Sequence, residues 1–446
     1  KEAMTVDANA AKGLRASLDR ILTHKVWGYV IFFGILLLIF QAIYDWSTYP
    51  MELIDAVFAW LSVSVRDLLP AGAFTNLIAE GIIPGLGGIV IFIPQIAFLF
   101  LFISLLEESG YMSRVVFLMD RSMRKFGLSG KSVVPLVSGT ACAIPAIMAT
   151  RNIENWKERL ITILVVPFTT CSARLPVYLI IIALVIPEKS VLGFNLQGLT
   201  LMLLYMLGFG MAIFSAWTLH KILKIRNKSY FVVEMPNYKL PMLKNVGLNV
   251  VEKTKSFVFG AGKIILAISI ILWVLASYGP GEQFENAEEI VTTKFEETFL
   301  PEQELENKIA SYKLKHSYIG HAGRFIQPLV VPLGYDWKIG IALISSFAAR
   351  EVFVGTLATI YSVGSGEVET IQKRMATETN PVLGGPLFNF ASGVSLLLFY
   401  AFAMQCMSTL AIVKKETNTW KWPVLQLISM TIIAYVAALI AFQLLK

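Results

Sequence analysis

The sequence predicts an all-α polytopic membrane protein, with about seven transmembrane helices of roughly 20 residues each and two re-entrant hairpins or broken helices in an inverted repeat. Three observations predict it. Of 446 residues, 56% are hydrophobic and 15% charged, with a mean hydropathy of +0.65, whereas a soluble domain carries about 25% charged residues. Five runs of span length contain no charge. Two further apolar runs are interrupted by residues that a helix in lipid would not carry.

The charge-free runs are Val26–Tyr44, Gly87–Leu106, Leu199–Leu219, Ala391–Val413 and Pro423–Leu445. Phe257–Tyr278 holds Lys263 near its start, where the ammonium can snorkel to the interface, and Leu160–Ile186 holds Arg174 near its middle. Ser132–Thr150 is broken by Pro135, Gly139 and Pro145, and Ile339–Ser362 has Arg350 and Glu351 side by side at its centre. Non-helical backbone survives at membrane depth only where it is buried in protein or lines a watery cavity. Both segments therefore read as hairpins, the kind of element on which transporters place their sites.

Loop charge supports that reading. The excess of 38 Lys and Arg over 31 Asp and Glu gives a net charge of +7. In a soluble chain this would raise nucleic acid as a partner; here it reads as cytoplasmic loop charge, and no nucleic-acid partner is expected. Lys1, Lys12, Arg15, Arg20 and Lys25 precede the first span; Arg114, Arg121, Arg124, Lys125 and Lys131 fill 107–131; eight more lie in 220–256. By contrast 45–86 has only Arg66 and 187–198 only Lys189, which assigns both to outside loops. For 107–131 and 220–256 to share a side, 132–150 must return to the side it came from. With 339–362 as a second hairpin entering from outside, Lys414, Lys415 and Lys421 fall inside and the C-terminus outside.

Between Gly279 and Ile319 nine glutamates crowd a polar stretch, which reads as an extracytoplasmic loop containing helix. Its carboxylates form a solvated face, or attract cations. An amphipathic segment (Tyr111–Phe126), a hairpin, a Cys-bearing span and a plain span recur as Tyr318–Leu333, a hairpin, a Cys-bearing span and a plain span. The loop charges give the two copies opposite orientation, the signature of secondary-type transporters. The chain opens at Lys1 with neither Met nor a signal peptide, so it reads as a piece of a longer one.

Three cysteines cannot build a disulfide framework, and all three lie in apolar segments. Cys142 stands between Gly139 and Pro145, with Met148 and Arg151 following; Cys171, with Thr170, Ser172 and Arg174, is framed by Pro167 and Pro176; Cys406 lies in Met404-Gln-Cys-Met407-Ser-Thr409. Free Cys and Met are also ordinary core filler. As ligands, sulfur donors select borderline and soft transition metals, whereas Mg and Ca require oxygen cages. The four histidines lie outside the spans, so an intramembrane metal would depend on sulfur, hydroxyl, carbonyl and Glu351. The intramembrane charges Arg174, Arg350 and Glu351 either gate the site or staple the hairpin tips. Gly130-Lys131-Ser132 matches only the end of a phosphate-binding loop, since Lys125 stands where that pattern needs Gly.

These residues carry a resemblance. Glu108-Ser-Gly-Tyr-Met-Ser-Arg114 through Asp120-Arg121, Gly127-Leu-Ser-Gly-Lys-Ser132 and the Cys142 and Cys171 motifs look like the membrane domain of FeoB ferrous iron transporters. Ser317-Tyr-Ile-Gly-His-Ala-Gly323, Pro332-Leu-Gly-Tyr-Asp-Trp337 and Phe347 to Leu357 are similar to that family's second gate region. The chain departs from the family at Gln405, where Pro is expected, and at Arg350, where Lys is common.

The resemblance implies a nucleoside-transporter-like gate core that imports Fe(II) across the bacterial inner membrane. It further implies an upstream G domain that hydrolyses GTP with Mg and is absent from this sequence, small cytoplasmic Feo accessory proteins as partners, and a homo-oligomer in the lipid bilayer. No catalytic site is expected in this chain. The metal path is expected at Cys142, Cys171, Cys406, Ser172, Met148 and Met407, with gating by Arg151, Arg174, Arg350 and Glu351. The expected organisation is a cytoplasmic amphipathic segment at 1–25, first spans and interfacial helices at 26–130, and a first gate repeat at 131–219. A basic loop at 220–256, a connecting span at 257–279, an acidic loop with interfacial helix at 280–335 and a second gate repeat at 336–446 complete it. A nucleoside or other organic solute carrier with related gates, and a membrane thiol-redox protein, are the alternatives.

Overall fold

Charge-free apolar runs become helices because lipid leaves the backbone no other hydrogen-bond partner. The computed structural model describes residues 19–223, 239–295, 302–360 and 386–446 with Met375, apart from positions 25, 71, 92, 188, 192, 193, 348, 349, 351 and 405. Among these, five helices are long and apolar enough to cross a membrane: Ala73–Glu108, Trp156–Val185, Leu196–Ile222, Phe390–Thr417 and Lys421–Leu445. Each coincides with one of the seven spans expected from sequence, to within one residue at Ile186. The other two expected spans fall within Trp27–Leu68 and on Lys263–Ser277, the latter led in by a π-helical turn at Val258–Gly262. Among the described residues the fold is all-α apart from a short antiparallel ladder that pairs Ser190 with Asn195 and Val191 with Phe194, and a bridge residue at Pro386.

The helices are, in order, α1 (Trp27–Leu68), α2 (Ala73–Glu108), α3 (Tyr111–Met123), α4 (Val133–Ser138), α5 (Ala143–Ala149), α6 (Trp156–Val165), α7 (Leu175–Val185), α8 (Leu196–Ile222) and α9 (Leu243–Phe257). There follow α10 (Lys263–Ser277), α11 (Ala287–Phe295), α12 (Glu302–His316), α13 (Tyr318–Val330), α14 (Trp337–Ser346), α15 (Val352–Ile360), α16 (Phe390–Phe402), α17 (Met407–Thr417) and α18 (Lys421–Leu445). The chain divides into two compact units, one of residues 1–56, 90–169 and 212–259, the other of 57–89, 170–211 and 260–446.

In the first unit Phe32 of α1 packs with Tyr111, Val115 and Met119 of α3 and Val133 of α4. The hairpin expected at 132–150 is present as α4 and α5, which pack on each other across a turn. The turn satisfies its own backbone: Gly139 N–H donates to the Pro135 carbonyl at 2.9 Å, and Ala141 and Cys142 both donate to the Ser138 carbonyl at 3.1 Å. Residues 243–256 of the expected basic loop at 220–256 are instead part of the helix α9. It lies along the Ile93–Glu108 part of α2 and is fixed there by Asn249 Nδ2 donating to Ser104 Oγ at 3.1 Å. It carries three of the eight basic residues of that segment, Lys244, Lys253 and Lys255.

In the second unit the hairpin expected at 339–362 is present as α14 and α15. Its core joins Tyr178 and Ile181 of α7, Phe353 of α15, Leu397 and Tyr400 of α16 and Ala438 of α18. The outside loop expected at 45–86 is mostly helix. Helix α1 runs through Pro50 to Leu68, since one proline removes a single backbone bond and the apolar spacing resumes at Leu53, Val57 and Leu61. Gly81 and Gly85 then let α2 approach α10, with Trp273 and Leu266 filling the space their missing Cβ atoms leave. This is the small-xxx-small contact of helices in lipid.

The repeat extends to local geometry. α3 ends in a 3-10 turn, Arg124–Phe126, closed by left-handed Gly127 (φ 77°); α13 ends in a 3-10 turn, Val331–Leu333, closed by left-handed Gly334 (φ 87°). Each glycine abuts a side chain of the plain span in its own copy, His220 of α8 for Gly127 and Phe442 of α18 for Gly334. A hairpin follows each.

Candidate functional site

All three cysteines occupy the same kind of position. Each is the N-cap of a half-helix and has extended backbone: Cys142 before α5 (φ −156°, ψ 133°), Cys171 before the 3-10 turn Ser172–Arg174 that leads into α7 (φ −89°, ψ 162°), and Cys406 before α17 (φ −159°, ψ 102°). Sequence dictates two of these breaks directly. Pro145 lies in the first turn of α5, Pro167 in the 3-10 turn before Cys171 and Pro176 in the first turn of α7. A missing N–H costs nothing at those places, where the first-turn N–H groups have no partner within the helix, whereas a continuous span through them would lose a backbone bond at each proline.

The break at Cys406 forms without the proline expected at 405. Helix α16 ends at Phe402, and Met407 N–H, which as the first residue of α17 has no acceptor within its own helix, donates to the carbonyl of Phe347 at 3.1 Å. Residue 347 opens the tip of the α14–α15 hairpin, so two breaks share one backbone bond.

At that tip Arg350, 5% exposed, donates from Nη1 to Cys171 Sγ at 3.7 Å. The same guanidinium lies within electrostatic reach of Cys406, Tyr178 and Tyr400. Arg174, fully buried, faces Arg350, Tyr178 and Cys171. Tyr400 stacks edge-on against Phe353 of α15, with ring centroids 5.0 Å apart. The hydroxyls of Thr170, Tyr178 and Tyr400 are buried, Tyr178 beside Thr170 and Tyr400 beside Ser346. The second unit thus gathers Cys171, Arg174, Arg350 and Cys406 of the expected set, with Ser172 and Met407 half-buried beside the breaks. It adds Thr170, Tyr178 and Tyr400.

Cys142, Met148 and Arg151 belong to the first unit. Met148 is buried on α5, and Arg151 is exposed on the 3-10 turn Thr150–Asn152. Glu351 lies outside the described residues. Among the described residues no three His, Cys, Asp or Glu side chains come together as a metal cage.

The phosphate-loop fragment serves the fold. Gly130 N–H donates to Asp120 Oδ1 at 3.0 Å, Lys131 pairs with Glu154 at 2.9 Å, and Ser132 Oγ meets Thr162 Oγ1 at 2.8 Å.

The family model described as Gate, nucleoside recognition, matches residues 89–185 and 258–420. The chain belongs to the Gate family. Both hairpins and all three cysteines lie within the matched residues, so the Gate segments are the broken elements just described. Residues 201–253 match a second model, the ferrous iron transport protein B C terminus. The Gate chain is 46% identical to an Fe(2+) transporter FeoB of Leptospira interrogans, an alignment covering 95% of this chain and 59% of the relative. It is 37% identical to an Fe(2+) transporter FeoB of Staphylococcus aureus, covering 96% of this chain and 58% of the relative. It is 35% identical to an Fe(2+) transport protein A/Fe(2+) transporter FeoB fusion protein of Porphyromonas gingivalis, covering 99% and 53%. The Gate chain therefore spans between 53% and 59% of the length of these relatives. No solved structure matches it. The likeness to FeoB proteins read from the motifs is borne out.

Proposed function

We propose that this chain is the membrane path by which ferrous iron is imported across a bacterial inner membrane. The observation that carries the reading is the set of three Cys N-caps, each on a broken membrane-depth segment. Sulfur placed where the helix opens, beside carbonyls freed by the break, offers a borderline cation mixed donors. Relatives named Fe(2+) transporter support iron as the cargo. Iron passes Cys142, Cys171 and Cys406 with help from Ser172, Met148 and Met407, while Arg151, Arg174, Arg350 and Glu351 gate it.

In the complete protein an upstream G domain supplies GTP hydrolysis with Mg. The Porphyromonas relative, whose name joins an A protein to the transporter, supports a small accessory partner. A homo-oligomer in the bilayer completes the proposal.

The test is uptake of radiolabelled Fe(II) by cells lacking their own ferrous importers and supplied with the complete protein. Cys171→Ser with Cys406→Ser is expected to bring uptake to background at parental membrane abundance; uptake at the parental rate overturns the thiol path. The description of the matched model, nucleoside recognition, favours a second reading as an organic solute carrier. Nucleoside uptake that survives the loss of both cysteines would establish it.

A further inference from the structure

We propose that the ion pair between Asp19 and Arg114 is the latch of the first hairpin, through which a pull on the chain entering α1 opens Cys142 to the cytoplasm. This rests on the function proposed above, in which an upstream G domain drives transport.

Arg114 Nε donates to Asp19 Oδ1 at 3.0 Å, across 95 residues of chain. A buried guanidinium is costly to part from its carboxylate, so the pair fixes residues 19–24, which lead into α1, onto α3. The same guanidinium donates from Nη1 to the Gly110 carbonyl at 2.7 Å. Gly110 is the left-handed residue (φ 80°) at which α2 turns into α3. One side chain thus joins the lead-in, the α2–α3 corner and α3 itself.

Contact continues along α3 in both directions. On one side Leu22 and Tyr29 pack into the cluster of Tyr111, Val115 and Met119, and Tyr29 OH donates to the Leu118 carbonyl at 3.4 Å. At Gly28 the backbone lies so close to the Leu22 carbonyl and the Leu118 side chain that no Cβ would fit. On the other side Asp120 Oδ1 receives the N–H of Gly130, and Val133 and Val137 of α4 join the same cluster. Helix α4 is the first arm of the hairpin, ending at Ser138, and Cys142 caps the second. All of these residues belong to the first unit. A lead-in drawn off α3 therefore disturbs the surface on which the arm is seated.

The unequal burial of the two partners gives the pair a direction of release. The Arg114 side chain is 3% exposed and that of Asp19 35%. Water can take over the carboxylate at the rim while the guanidinium stays in place, so the pair opens from the side on which residues 1–18 arrive. Packed interfaces of this kind change by switching between arrangements rather than by gradual deformation.

The experiment uses the complete protein in inside-out membrane vesicles, whose cytoplasmic face is outward, and follows the reaction of each cysteine with a membrane-impermeant maleimide by peptide mass spectrometry. Asp19→Ala is expected to speed labelling of Cys142 by about tenfold if the open state is roughly a tenth populated in the parent, and to leave Cys171 at the parental rate. Asp19→Arg combined with Arg114→Asp is expected to label Cys142 more slowly than either single variant. A parental rate in Asp19→Ala, or an equal rise at Cys142 and Cys171, overturns the latch. Should the exchanged pair fail to insert, Asp19→Glu decides: it keeps the charge, so the parental rate is expected, and the rate of Asp19→Ala overturns the role. Guanylyl imidodiphosphate is expected to speed labelling of Cys142 in the parent but not in Asp19→Ala, and an equal response in both overturns the transmission. If the parent ignores the nucleotide while Asp19→Ala still labels faster, the G-domain reading is wrong and the latch stands.

Discussion

The backbone N–H of Met407 donates to the carbonyl of Phe347 across 3.1 Å, tying the opening of α17 to the tip of the α14–α15 hairpin. Met407→Pro isolates that bond. Proline is at home in the first position of a helix, and Cys406 already has the extended backbone (φ −159°, ψ 102°) that a following proline favours. The orphaned carbonyl is expected to cost about 1–3 kcal/mol. Thermal unfolding in detergent, with Met407→Ala as the control for the lost thioether, measures it. Iron uptake is expected to fall further in the proline variant than in the alanine one.

The cysteine positions make serine an unusually clean replacement. Serine is among the best N-cap residues, and Cys142, Cys171 and Cys406 are all N-caps that form no side-chain capping bond of their own. Each Cys→Ser variant is therefore expected to melt no lower than the parent, while iron uptake falls severalfold. A variant that loses both stability and transport would mark its thiol as packing.

Tyr178 OH lies beside Thr170 and Tyr400 OH beside Ser346. Tyr178→Phe and Tyr400→Phe are each expected to cost about 1 kcal/mol, because each takes a hydrogen-bond partner from a buried hydroxyl. Thermal unfolding in detergent measures the loss.

Gly334 is expected to tolerate no side chain. Its φ of 87° costs an L-residue about 1–2 kcal/mol, and a Cβ there would overlap the Phe442 ring. Gly334→Ala should lower the melting temperature clearly. Adding Phe442→Ala should recover the steric part and leave the backbone part, a coupling that a double-mutant cycle quantifies.

Much of this architecture was legible because its causes are local. Proline, glycine and charge interrupt apolar runs at Ser132–Thr150 and Ile339–Ser362, and loop charge then demands that the chain double back. The breaks at Cys142 and Cys171 follow from prolines that can be seen in the sequence. The break at Cys406 relies on a carbonyl some 60 residues away in the chain, which no local pattern announces. Tyr178 and Tyr400 read as ordinary aromatics of apolar spans; only their place around Arg350 sets them apart. Tyr178 did leave one hint, since it stands four residues after Arg174 and so on the same helix face. Residues 45–68 and 243–256 read as loop because one proline and scattered lysines look like punctuation when packing partners are out of view.

The unequal burial of the last two spans carries a consequence for biogenesis. Phe390–Thr417 is 71% buried over its most apolar stretch, whereas Lys421–Leu445 is only 22% buried. The α16–α17 break can be offered to protein but not to lipid, and the helix that covers α16, through Ser395 and Ala438, is made after it. The cysteine-bearing segment is therefore expected to insert stably only once α18 has emerged to cover it, which truncation before Lys421 would test.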